Sequence, residues 1–158
     1  MNTLCPCLGL ITLDHIGLFV MLAGFVIGLG AVTVIDLHGF LGRKSHYWTE
    51  ATTRTHKVTK PLIWVGMGLA IVGGVLLYWG YSFSGLVALH AGVAGVLILN
   101  GLFLTFSVSP FLLKREKAGK AAELLPKSWQ QKITVSFIVS FLGWWGALAL
   151  LVHYLVSR

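Results

Sequence analysis

Four apolar runs, each about as long as the roughly 20 residues a helix needs to cross a bilayer, divide this chain. They cover residues 12–37, 61–83, 86–113 and 133–156. The chain has 158 residues, of which 56% are hydrophobic and 11% charged. A soluble domain of that size cannot bury so much apolar side chain. A soluble enzyme, a disordered chain and a fibrous repeat are therefore excluded, and an integral membrane protein is expected. The runs show no alternation at period two, so a closed barrel is not expected. The predicted fold is all-α: a single membrane domain, a four-transmembrane-helix bundle running up-down-up-down.

Local signals punctuate the spans. Pro61 heads the second, where a first-turn proline is tolerated. Pro110 closes or kinks the third. The connection Tyr81-Ser82-Phe83-Ser84-Gly85 is short and predicts a tight antiparallel hairpin of the second and third helices. Met1 to Ile11 carries no lysine or arginine, and the run after it is too long for a signal sequence, so the first helix is expected to be retained. Residues 47–57 suit a short interfacial helix, and Lys114 to Lys120 a charged helical extension ending near Gly119.

The net charge of +7 is distributed unevenly. Arg43, Lys44, Arg54, Lys57 and Lys60 lie between spans one and two. Lys114, Arg115, Lys117, Lys120, Lys127 and Lys132 lie between spans three and four. The positive-inside rule places both long loops in the cytoplasm and both termini outside, in what is expected to be a bacterial inner membrane. These charges meet lipid headgroups, and no nucleic-acid partner is expected.

Ionisable residues inside a membrane are costly and are the first functional candidates. Asp14 and His15 open the first span, and Asp36 and His38 end it. His90 lies about one turn into the third span, and His153 about one turn before the end of the fourth; Asn100 is the amide at mid-depth. With the expected topology, His15, His90 and His153 share one level in the outer leaflet, on three helices. Such a set suits a haem b or metal site. His90 shares its helix face with Ala94 and Gly101, and His153 with Ala149 and Gly146, leaving slots for a flat ring. Each histidine alone also reads as an interfacial anchor or a hydrogen-bonded packing residue. His46 and His56 read as solvated loop residues, and Asp36 as an ion-pair partner of Arg43 or Lys44. Gly17, Gly24, Gly28 and Ala31 form a small-residue stripe suited to close helix packing. Cys5 and Cys7, in Cys5-Pro6-Cys7, bridge poorly to each other but suit a soft metal, with Met21 and the outer histidines as further copper ligands.

The motifs Asp14-His15-Ile16-Gly17 and Leu89-His90-Ala91-Gly92, with a basic loop leading into a proline-headed second span, carry a resemblance. In architecture the chain resembles, over most of its length, the small four-helix bacterial protoporphyrinogen oxidases and the related copper-resistance D-type membrane proteins. That resemblance implies a haem b near the outer side, with His15 and His90 as ligands and oxidoreductase activity. The lysine that accompanies the span-three motif in the oxidases has no counterpart at Ala91, Gly92 or Val93. Three expectations follow: a membrane haem redox protein, a copper-handling protein, and a cofactor-free subunit of a larger membrane complex or homo-oligomer. Transport is the least supported, because a mid-membrane charge and a broken helix pair are missing.

Overall fold

A computed structural model of the protein describes residues 12–42, 48–83, 85–120 and 123–157. Its elements are helices: α1 (Leu13–Gly42), α2 (Trp48–Leu77), α3 (Gly85–Phe103), a π-helical turn (Leu104–Val108), α4 (Ser109–Lys117) and α5 (Lys127–Val156). The π turn joins α3 and α4 into one long helical span. Four spans among the described residues, 13–40, 54–77, 85–117 and 127–156, are long and apolar enough to cross a membrane, and the chain is an integral membrane protein. Many large apolar side chains, such as Phe19, Val26, Leu99, Phe106 and Val156, point outward, as lipid contact requires.

The helices pack as two pairs. Along α1, Gly17, Gly24 and Gly28 meet α2 at Leu77, Ala70 and Gly66, so contacts descend one helix as they ascend the other. A Cβ added to Gly17, Gly24, Gly66 or Gly73 would lie under 3.0 Å from backbone atoms of the facing helix. Gly17 and Gly24 are seven residues apart, as are Gly66 and Gly73, which keeps glycine in the seam on every second turn. The stripe expected to be a packing surface is therefore covered by the chain's own second span.

The second pair is α3 with α5, antiparallel in the same sense. Leu97 packs on Gly143, and Asn100 joins Ser136 reciprocally: its amide donates to the Ser136 carbonyl at 3.0 Å, and the Ser136 hydroxyl donates to the Asn100 carbonyl at 2.7 Å. Trp144, 2% exposed, lays its indole on Gly28 and meets Phe25 edge-on, closing one pair against the other. The expected tight α2–α3 hairpin is not what the backbones form. The turn after Leu77 includes Gly80 at φ +85°, and Gly85 starts α3 at φ +52°. Beyond it, α2 and the third span meet through side chains, Tyr78 with His90 and Trp64 with Thr105.

Both prolines behave differently from expectation. α2 begins at Trp48, so Pro61 lies inside a 30-residue helix rather than at its head, and the segment expected to be a separate interfacial helix is its first turns. Pro110 neither ends nor breaks the third span. The ladder widens to a π turn just before it, with the Ser109 amide donating to the Leu104 carbonyl, and the helix resumes to Lys117. Ala118 and Gly119 (φ +70°) then end α4, as the charged extension predicted.

Candidate functional site

The three histidines expected at one level, His15, His90 and His153, are placed differently. His15 is exposed, and its Nδ1 accepts from the Thr12 hydroxyl at 2.7 Å and the Thr12 amide at 3.3 Å, a local bond at the start of α1. His153 is exposed on α5. His90 is buried, and its Nδ1 is hydrogen bonded to the Tyr78 hydroxyl at 2.9 Å. Around that bond the rings of Tyr78, Tyr81 and Tyr154 meet edge-on: Tyr154 lies 5.0 Å from Tyr78 and 6.2 Å from Tyr81 between centroids. Sequence reasoning found the imidazole but not the tyrosines around it. No group of three His, Cys, Asp or Glu side chains is placed to hold a metal ion among the described residues. Of the three imidazoles, one is thus buried and two are exposed. Met21 is buried in the α1–α2 seam, against Gly73. Cys5, Cys7, Arg43, Lys44 and His46 lie outside the described residues.

The feature that stands out chemically is at the opposite end, where the basic connections lie. Between the two helix pairs is a cavity of about 220 Å³. Its deep end is formed by Val32, Met67, Leu97 and Trp144, and its mouth by Glu123, Leu124 and Gln130. All four spans contribute to its wall. The glycine seam holds α1 against α2, the Asn100–Ser136 pair holds α3 against α5, and the space between the pairs is left open.

The wall is mostly apolar, with a few polar groups. Five of them are bonded within the protein. Trp64 donates its indole N–H to Thr105 at 3.3 Å, Asn100 and Ser136 satisfy each other, and Gln130 donates to the Leu125 carbonyl at 2.8 Å. The Thr134 hydroxyl donates to the Gln130 carbonyl at 2.9 Å. Asp36 differs. It lies on α1 with Val32, Ile35 and Phe40 in the cavity lining, and its Oδ2 is buried without a hydrogen-bond partner among the described residues. His56, expected to be solvated, instead lines the same cavity from α2, half-buried.

Around the mouth the charges are tied down. Lys57 on α2 pairs with Glu116 on α4 at 3.6 Å. Arg115 pairs with Glu123 at 3.5 Å and donates to the carbonyls of Lys120, Glu123 and Leu124, folding the α4–α5 connection back beneath the bundle. Phe111 stacks on Trp129 at 4.0 Å, and Lys132 lies over the same indole. The third span thus continues past the membrane core as an anchored wall of the cavity.

No protein-family model, curated protein or solved structure matches the chain.

Proposed function

We propose that this protein binds a small, mostly apolar molecule in the cavity between its helix pairs, in an up-down-up-down bundle whose basic loops and cavity mouth face the bacterial cytoplasm. The observation that carries the reading is the buried, unpartnered Asp36 oxygen on the wall of a cavity built from all four spans. An apolar pocket with a few converging polar groups is the usual form of a small-molecule site. An unsatisfied carboxylate oxygen there is costly unless something fills its place. The orientation rests on the eleven lysines and arginines of the two long connections.

The test is native mass spectrometry of the protein in mild detergent. Wild-type protein is expected to carry a small-molecule adduct. Ser140→Phe, which adds a ring on the buried cavity wall, is expected to lose it while keeping a cooperative thermal transition. A wild-type spectrum free of adducts, or an adduct that Ser140→Phe leaves unchanged, refutes the reading.

One observation favours a second reading, a b-type haem redox protein. His56 on α2 lines the same cavity. Haem, when bound, supplies one-electron transfer, and His56 would hold its iron. A Soret band in purified protein that disappears in His56→Ala would select this reading over the first. The copper reading draws nothing from Met21, whose thioether is packed in the seam.

A further inference from the structure

Resting on the cavity reading above, we infer that the occupant is an organic cation with an apolar body, its positive head opposite Asp36. The inference comes from which polar groups of the cavity still lack a partner. Asn100, Ser136, Gln130, Thr134 and Trp64 each donate a hydrogen bond inside the protein. They offer little to a ligand that presents hydrogen-bond acceptors. Asp36 is the reverse case, a carboxylate with one oxygen shut away from water and without a hydrogen-bond donor among the described residues. Lys57 and Arg115 are paired with Glu116 and Glu123.

A buried carboxylate is stabilised by a cation brought within contact distance, and a monovalent one completes the charge balance. A divalent metal ion requires several carboxylate or imidazole ligands, and no such group of three is present among the described residues. The rest of the cavity suits an apolar cation. Phe40, Trp64 and Trp144 present aromatic rings to it, and rings attract weakly hydrated organic cations through their faces. Val32, Ile63 and Leu97 supply contact for the apolar body. A hydrated inorganic cation would gain nothing from that lining, whereas a lipophilic one reaches it from the bilayer or through the mouth.

The probe is tetraphenylphosphonium, with triphenylphosphine oxide as its uncharged relative, each titrated calorimetrically into the solubilised full-length protein. Saturable phosphonium binding is expected, weakened at least tenfold in Asp36→Asn and kept within a few-fold in Asp36→Glu, with the oxide bound weakly by all three. Phosphonium and oxide binding equally well, both unaffected by Asp36→Asn, would overturn the cation assignment and leave the cavity reading in place. Neither compound binding while the native adduct persists would do the same. Neither binding with no adduct in the mass spectrum would remove both.

Discussion

Two polar side chains, the buried His90 and Asp36 with one buried oxygen, have opposite fates, and the contrast separates structure from function at the residue scale. The His90 ring is held by Tyr78 and enclosed by aromatic neighbours. That is the arrangement of a satisfied core histidine. Tyr78→Phe removes the hydroxyl and leaves the imidazole nitrogen without its partner, so it is expected to lower unfolding stability by about 1–2 kcal/mol. Denaturant unfolding in micelles measures this. A His90 serving as a cofactor ligand would instead show its loss mainly in a visible spectrum. Position along the helix told which residues were candidates, because a histidine in an apolar run is conspicuous. Orientation was only half legible. The stripe shared by His90 and Gly101 does face inward, with Gly101 against Trp64, while His153 lies exposed although it too shares its face with small residues. Small side chains occupy lipid-facing and packed surfaces alike, so they cannot say which way a helix is turned. Asp36 was visible as a charge near a helix end. Its isolation was not, since that depends on what α2 and α5 place around it.

At the scale of elements, glycine spacing was the most readable signal. Two spans with glycines seven residues apart can bring their backbones into contact, and in a bilayer, where apolar burial does not drive association, such contact supplies much of the attraction. Gly66→Leu is therefore expected to force α1 and α2 apart and to lower stability by at least about 1–3 kcal/mol, the usual cost of overpacking. Gly68→Leu, on the same helix at a site where an added Cβ meets nothing within 4 Å, is expected to leave the melting temperature nearly unchanged. Equal effects of the two would mean that the seam contributes no more than helix propensity. The prolines were less legible. Pro61 coincides with a change from polar to apolar sequence, which mimics a helix start, yet α2 already runs thirteen residues before it. Pro110 reads as a stop because its ring excludes the ordinary i−4 bond. The widened turn from Leu104 to Val108 absorbs that exclusion, and only tertiary packing, with Trp64 held on Thr105 and Leu112 buried, decides that the helix resumes.

For the whole molecule, pair-by-pair assembly explains why the membrane spans could be read and the cavity could not. Each span announces itself by length and hydropathy, properties of one segment at a time. A cavity is a property of the gap between segments, set by how far the α1–α2 unit sits from the α3–α5 unit once Trp144 has met Gly28. Sidedness is different again, because charge distribution along the chain encodes it and the fold then gives it a consequence. The Lys57–Glu116 and Arg115–Glu123 pairs lie at the cavity mouth, so the side that holds the loops is the side on which the cavity opens. Cysteine accessibility in intact cells decides which side that is. With Cys5 and Cys7 replaced by serine, a single cysteine at Ser157 is expected to react with a membrane-impermeant maleimide, and one at Lys120 only after the cells are opened. The opposite pattern would turn the bundle over, placing eleven positive charges and the cavity mouth outside, where the positive-inside bias no longer accounts for the loops. Labelling at both sites in intact cells would be incompatible with the single crossing that separates Lys120 from Ser157, and with it would fall the four-span bundle as an oriented unit.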